Sequence, residues 1–177
     1  SSRATIESWP PNDAAISGVM PAVLAGAGRA PCASARVARR SWPRRAAEMM
    51  PNGGSLVTLT FQGSNRVTPN YNVMGVAKAA LESATRYLAN DLGPQGVRVN
   101  AISPGPMKTL AGAAIGGARA TYRHTEQNAP LRSNATLEAV GGTAVWLCSD
   151  YGAFTTGEVV RVDGGFHVLG MPQADHL

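Results

Sequence analysis

Three runs of apolar and β-branched residues have the length of β-strands, at positions 55–61, 97–103 and 157–162. Turn-forming residues bound each run: a Pro-Asn-Gly-Gly sequence precedes the first, Pro104 follows the second, and an Asp-Gly-Gly sequence follows the third. Runs of this kind between glycine and proline are typical of strands. The pattern therefore predicts three β-strands.

The segment between the first two runs has the period of an amphipathic helix, over residues 71–92, and the Gly93-Pro94 pair that follows it stops a helix. The residues of its apolar stripe are Val73, Ala77, Ala80, Leu81, Ala84, Leu88 and Leu92. A second helix is predicted from Thr136, whose hydroxyl can cap its first turn, to Cys148. Glu138 in that first turn is favoured by the helix dipole.

Strands that alternate with helices predict an α/β fold, a Rossmann-like parallel sheet with flanking helices. Ligands bind such sheets at the carboxyl ends of the strands. On the second helix, we expect Trp146, Leu147 and Cys148 to pack in the core. The small side chains of residues 110–125 predict a mobile or loosely helical segment.

Composition and charge narrow the class of protein. Hydrophobic residues make up 44% of the chain and charged residues 15%, which is typical of a soluble globular protein. The net charge of +5 is concentrated, because seven arginines lie within the first 45 residues. A basic nucleic-acid-binding module is one alternative, but no recognisable reader motif accompanies these arginines, so no nucleic-acid partner is expected. The two cysteines have no redox or metal-ligand spacing and favour a reducing cytoplasm.

The chain divides near residue 45. Residues 1–44 are rich in Ala, Arg, Pro and Ser and have no sustained hydrophobic period, whereas residues 45–177 carry all the predicted elements. Two interpretations of residues 1–44 stay open: a poorly ordered segment, and an out-of-frame translation of GC-rich DNA. The apolar stretch at 14–27 is too short to cross a bilayer and contains Pro21, so no membrane segment is expected.

Tyr71 and Lys78 form the candidate chemical site. They are seven residues apart on the predicted helix, so both side chains leave the same face, ~10.5 Å apart along the axis. A phenol can donate a hydrogen bond or a proton to a substrate oxygen, and an ammonium can bind cofactor hydroxyls. A bare Tyr-x6-Lys pair is weak evidence, and the surrounding sequence gives it weight.

Residues 61–82, with the sequence FQGSNRVTPNYNVMGVAKAALE, resemble the catalytic stretch of the NADH-dependent enoyl-acyl-carrier-protein reductases, a divergent branch of the short-chain dehydrogenase/reductases. Residues 86–103, 105–111, 128–132 and 156–166 resemble the same family. Carbonyl-reducing relatives carry Tyr-x3-Lys, and the matching position here is Gly75, so the spacing resembles that of the enoyl reductases. The resemblance begins near residue 45 and covers only the second half of the family's usual sequence.

The resemblance implies NADH-dependent reduction of trans-2-enoyl thioesters, carried by acyl carrier protein, in type II fatty-acid biosynthesis. Tyr71 would hydrogen-bond to the thioester carbonyl, and Lys78 would bind the nicotinamide ribose hydroxyls. Residues 110–125 would cover the acyl chain. The segment that would lie along the nicotinamide and pyrophosphate comprises Met107, Lys108, Thr109, Leu110 and Ala111.

Departures from the family pattern leave a second function open. Phe61 stands where many members have a second active-site tyrosine; it can line the pocket but cannot donate a proton. The glycine-rich turn of the family's amino-terminal half is not recognisable in residues 1–44. The alternative is therefore a catalytically inactive remnant, a folded half-domain without a complete cofactor site. The resemblance also implies a homo-oligomer, with the helix that carries Tyr71 as a candidate dimer surface.

Overall fold

A parallel three-stranded sheet forms the centre of the protein in the computed structural model, which describes residues 46–109 and 117–176. The strands are β1 (Gly54–Leu59), β2 (Val97–Pro104) and β3 (Val159–Val162), in the order β1-β2-β3. Both neighbouring pairs are parallel. The predicted α/β fold with a parallel sheet is confirmed, with strand ends that differ by one or two residues.

Three helices connect and flank these strands: α1 (Asn72–Leu92), α2 (Ala118–Asn128) and α3 (Leu137–Cys148). Tyr71 immediately precedes α1, with φ −117° and ψ 14°. Thr136 caps α3 as predicted, because its hydroxyl oxygen accepts a hydrogen bond from the backbone N–H of Ala139 at 3.1 Å. Of the segment predicted to be mobile or loosely helical, residues 118–125 belong to helix α2.

Helices α1 and α3 pack on opposite faces of the sheet. On the first face, Leu56, Val97 and Val99 pack with Ala89 and Leu92 of α1. On the second face, Ile102, Val57 and Val160 pack with Val140 and Leu147 of α3. Neighbouring strand residues contribute to different clusters because successive side chains of a strand point to opposite faces. Strand β2 is buried on both sides, as expected for the middle strand of a covered parallel sheet.

The expected core position of two residues on α3 was wrong. Leu147 is fully buried, but Trp146 is 39% exposed, and Cys148 is a free, exposed cysteine. Helix α3 is apolar around most of its circumference, but only one side of a helix can face the sheet. That side carries Val140, Ala144 and Leu147. Apolar composition alone therefore did not identify its inner face.

Several expectations lie outside the described residues. These are the character of residues 1–44 and the placement of Leu110 and Ala111. Among the helices that the structure describes, none has the length and apolar character that a bilayer-crossing helix requires.

Candidate active site at the carboxyl edge of the sheet

The candidate site residues lie where the parallel strands end. Beyond β1, the Thr60 N–H donates to the carbonyl oxygen of Ile102 at 2.8 Å, and beyond β2, the Gly105 N–H donates to that of Val162 at 2.8 Å. These bonds continue the sheet pairing past the strand ends. They hold the chain before Phe61 and the chain before Met107 side by side at one edge of the sheet. This is the edge where ligands bind open α/β sheets.

The ring of Tyr71 is enclosed by the loop that precedes α1. The residue is 7% exposed, and the Phe61 ring meets it edge-on, with centroids 5.1 Å apart and planes at 62°. Gly63 lies so close that any Cβ there would overlap the Tyr71 ring. Burial raises the pKa of the Tyr71 phenol above its ordinary value. The phenol therefore keeps its proton over the neutral range and is available as a donor.

Lys78 lies on the same side of α1 as Tyr71. The buried residues of α1 lie three, four or seven positions apart and so share one side of the helix, with half-buried Lys78 between Gly75 and Glu82. The Lys78 ammonium donates to the carbonyl oxygen of Leu59, the last residue of β1, at 2.9 Å. Burial lowers the pKa of the ammonium. The amine thus lies half-buried at the carboxyl end of β1.

Position 75 has no space for a side chain. A Cβ on Gly75 would lie 2.6 Å from the carbonyl oxygen of Gly63, closer than real Cβ contacts allow. A lysine four residues after Tyr71 would therefore collide with the backbone of the Phe61–Tyr71 loop. The amine reaches the edge of the sheet from one turn further along the helix instead, at Lys78.

The segment after β2 brings two further candidates to this edge. Met107 packs against the cluster on the α3 face, and the Thr109 N–H donates to the Met107 carbonyl oxygen at 3.0 Å. Lys108 is exposed, and its ammonium lies 4.8 Å from the centre of the Tyr122 ring on α2, a cation–π distance. Lys108 therefore joins the segment after β2 to α2.

Sequence analysis missed one polar pair at the site. Glu82, 8% exposed, accepts a hydrogen bond from the Thr60 hydroxyl at 2.7 Å. Thr60 is also buried, at 3% exposure, and lies between Leu59 and Phe61. The sequence gave no signal for this pair, because Glu82 lies outside the apolar stripe that the helix period predicts. A carboxylate there requires a hydrogen-bond donor.

Asp163 shapes the turn after β3. Its carboxylate accepts hydrogen bonds from the backbone N–H groups of Gly165 and His167 at 3.0 and 2.9 Å, and it pairs with Nδ1 of His167 at 2.9 Å. A Cβ on Gly105 would lie 3.2 Å from the Asp163 Cα. The segments that follow β2 and β3 are therefore packed closely together, and His167 has a structural role in the turn after β3.

The arrangement combines a protonated phenol, an aromatic wall and a half-buried amine at a sheet edge. A phenol placed in this way can stabilise negative charge that develops on a carbonyl oxygen. The amine can bind vicinal hydroxyls, such as those of a ribose. The structure brings together Phe61, Tyr71 and Lys78, with Met107 to Thr109 on the neighbouring strand end.

Comparison with known proteins identifies the family to which this sequence is similar. The family model described as enoyl-(acyl carrier protein) reductase matches residues 40–167. The chain is 54% identical over 134 residues to enoyl-acyl-carrier-protein reductase (NADH) 2 of Rhizobium meliloti, and the aligned region covers 76% of this chain and 50% of that protein. It is 50% identical over 127 residues to the NADH-dependent enoyl-acyl-carrier-protein reductase of Escherichia coli, and the aligned region covers 72% of this chain and 48% of that protein.

Solved structures of similar proteins share the fold. The enoyl-acyl-carrier-protein reductase of Anaplasma phagocytophilum, in complex with NAD, superimposes with a TM-score of 0.71 at 48% identity and covers 80% of this chain and 52% of its own. The Bacillus cereus reductase, with NADP+ and an indole naphthyridinone, gives a TM-score of 0.71 at 50% identity, covering 78% and 52%. The chain thus spans about half the length of the relatives that it matches.

Proposed function

Because the chain belongs to the enoyl-(acyl carrier protein) reductase family, we propose that it carries the catalytic side chains of an NADH-dependent reductase of trans-2-enoyl thioesters. The observation that supports this most is the geometry of Tyr71 and Lys78. Tyr71, which immediately precedes α1, and Lys78, within α1, both lie at the carboxyl edge of the sheet, with the Phe61 ring against Tyr71. Residues 45–177 are then the carboxyl-terminal part of a Rossmann-like reductase domain.

Tyr71 acts on the thioester carbonyl. When hydride adds to the β-carbon of an enoyl thioester, negative charge develops on the carbonyl oxygen as an enolate forms. A buried phenol that keeps its proton donates a hydrogen bond to that oxygen more strongly as the charge grows, so it stabilises the transition state more than the bound substrate. Phe61 lines the same pocket and limits water there.

The residues at this edge fit the nicotinamide end of NADH, which supplies the hydride when bound. The half-buried Lys78 ammonium supports this fit, because it lies at the end of β1, where it donates a hydrogen bond to the backbone carbonyl oxygen of Leu59. A cation beside a strand end is suited to ribose hydroxyls. The segment from Met107 to Thr109 follows the neighbouring strand and is suited to the nicotinamide and pyrophosphate, with Leu110 and Ala111 beyond it. A glycine-rich strand-to-helix turn is not found among residues 46–109 and 117–176.

We also propose the partners and the location that this function requires. The substrate is an enoyl chain on acyl carrier protein, and the enzyme works in the cytoplasm, where the free, exposed thiol of Cys148 stays reduced. Assembly as a homo-oligomer through α1 is supported by Val76 and Tyr87, which are 48% and 71% exposed and eleven positions apart on one outer face of the helix. Sedimentation of the wild type and of Val76→Lys tests this contact, because a charge in it should dissociate the assembly.

An assay of NADH oxidation with a crotonyl thioester tests the proposed reaction. The wild-type chain is expected to turn over, and Tyr71→Phe is expected to lose about 100-fold or more in rate, the usual scale for losing a donor to a developing oxyanion. Lys78→Met is expected to need about tenfold more NADH, because it loses a charged hydrogen bond to the ribose. Tyr151→Phe and Arg86→Met are matched controls, because they make the same kinds of change at exposed positions to which no contact or chemistry is assigned.

Two outcomes contradict the proposal. One is a wild-type chain that folds but neither oxidises nor binds NADH, which supports the inactive remnant instead. The other is turnover that Tyr71→Phe and Tyr151→Phe reduce equally. Equal losses mean that the rate does not depend on the buried phenol.

A further inference from the structure

We propose that Glu82 and Thr60 are positioning residues for the Lys78 amine. The inference rests on the proposed function, in which that amine binds the nicotinamide ribose. It concerns a buried carboxylate that the proposed reaction does not use.

Two side chains of α1 bind consecutive residues at the end of β1. The Lys78 ammonium donates to the Leu59 carbonyl oxygen at 2.9 Å, and the Glu82 carboxylate accepts from the Thr60 hydroxyl at 2.7 Å. Positions 78 and 82 are one helical turn apart, so their side chains project from the same face, ~6 Å apart along the axis. The helix is therefore fixed to the strand end at two adjacent points.

The Glu82–Thr60 bond is the more deeply buried of the two attachments. Both of its residues are buried, at 8% and 3% exposure, so water does not compete well for either group. A hydrogen bond to a charged, buried acceptor contributes more than one between neutral groups at the surface. The Thr60 N–H is in turn bonded to Ile102 of the middle strand. Thr60 thus links α1 to the centre of the sheet.

This link fixes the position of α1, and with it Lys78, against the end of β1. The Leu59 carbonyl and the Thr60 N–H belong to one planar peptide unit, so the bond from that N–H to Ile102 holds the acceptor in place. If the Thr60 hydroxyl is removed, α1 loses its attachment to the strand end and can shift against it, and Lys78 is no longer held at a fixed distance from its acceptor. The amine then samples many rotamers, and binding a ribose must restrict it again, which costs conformational entropy. Phe61, the next residue, shares the same support.

The chain offers an unusually clear spectroscopic test, because Lys78 and Lys108 are its two lysines. In protein labelled with 13C and 15N at lysine, a fixed side chain gives two separate ε-proton shifts, and a freely rotating side chain gives one averaged shift. We expect separate shifts for Lys78 in the wild type and their convergence in Thr60→Val. The affinity for NADH should fall about tenfold in that variant, since a well-placed charged hydrogen bond is lost.

Matched variants separate positioning from general destabilisation. Thr60→Ser keeps the hydroxyl and should retain both the separate shifts and the affinity within about twofold. Thr85→Val makes the same change on the same buried ridge, where the Thr85 hydroxyl bonds to the Leu81 carbonyl oxygen at 2.9 Å, and should leave Lys78 unaffected. Glu82→Met removes the acceptor with little change in volume and should reproduce Thr60→Val, which covers the case in which Thr60→Val does not fold.

The result that overturns the inference is a folded Thr60→Val or Glu82→Met protein with the wild-type Lys78 shifts. Failure of the proposed function gives a different result. In that case the wild type shows no NADH binding, while the lysine spectra still report whether the Thr60–Glu82 pair fixes the amine.

Discussion

Gly75 on α1 lies so close to Gly63 that a Cβ at position 75 would come within 2.6 Å of the Gly63 carbonyl oxygen. The contact joins the helix to the loop that encloses Tyr71. Both sides of the contact are backbone, so no flexible side chain can move away to relieve it. This close approach sets the height of the loop above the helix, and with it the position of the phenol.

Gly75→Ala should therefore destabilise the protein, although alanine is the better helix former. The helix-propensity gain of ~1 kcal/mol is opposed by a backbone collision, and we expect a net loss of about 1–3 kcal/mol in the free energy of unfolding. Urea denaturation measures it. Gly142→Ala on α3 is the matched control, since a Cβ there meets no atom within 4 Å, and it should raise the free energy of unfolding by ~0.8–1.0 kcal/mol. Equal effects at the two positions would refute the close contact.

The Thr136 cap gives a prediction for α3. Thr136→Ala removes the oxygen that accepts the Ala139 N–H and should lower the free energy of unfolding by ~1 kcal/mol. Thr136→Ser retains the acceptor and should stay near the wild-type value. A Thr143→Ala change makes a suitable comparison, because its hydroxyl bonds within the helix to a carbonyl that is already paired. If Thr136→Ala and Thr143→Ala lower the free energy of unfolding equally, the Thr136 cap does not stabilise α3.

The sheet and its two covering helices could be predicted because their signals are local. An apolar run between turns identifies a strand, and a stripe at intervals of three and four identifies α1. The Tyr71–Lys78 spacing belongs to the same class of information, since it depends only on the helix period. These predictions needed no knowledge of what lies across the sheet.

The rest depends on contacts between distant parts of the chain. The acceptor for Lys78 is Leu59, nineteen residues away, and the donor for Glu82 is Thr60, twenty-two residues away. Neither pairing has a period in the sequence. The exposure of Cys148 was missed for a related reason: which side of an apolar helix faces the sheet is decided by packing.

A buried asparagine holds the end of the described chain. Asn128, 1% exposed, accepts from the Gln173 backbone N–H with its side-chain oxygen and from the Gln173 amide with its backbone oxygen, both at 2.9 Å. Asn128→Ala leaves the half-buried Gln173 N–H without this acceptor and should cost about 1–2 kcal/mol. Hydrogen exchange in residues 166–176 should accelerate with it.

The control for this variant is Asn90→Ala, at an exposed position of α1. It should change the free energy of unfolding by no more than ~0.5 kcal/mol. Slow exchange of residues 166–176 in Asn128→Ala would contradict the assigned role of that side chain.

The buried phenol predicts a stability difference at alkaline pH. Burial raises the pKa of Tyr71 above its ordinary value of 10.0, so the unfolded chain releases the phenol proton at a lower pH than the folded chain. The stability that this group contributes is complete below pH 10 and is lost as the pH rises from there through the folded pKa. The wild type should therefore lose free energy of unfolding relative to Tyr71→Phe above pH 10.

Urea denaturation of both proteins from about pH 8 to about pH 11 measures this difference. Lys78, whose pKa burial lowers, is present in both proteins and cancels in the comparison. Curves that stay parallel over the whole range would show that the phenol is not desolvated.

Calorimetric titration of the purified chain with NADH shows whether Tyr71 and Lys78, at the carboxyl edge of the sheet, form a nicotinamide site. We expect saturable binding by the wild type, affinity about tenfold weaker for Lys78→Met, and wild-type affinity for Arg86→Met. Absence of saturable binding by a folded wild-type chain, or equal affinity of the wild type and Lys78→Met, would contradict it.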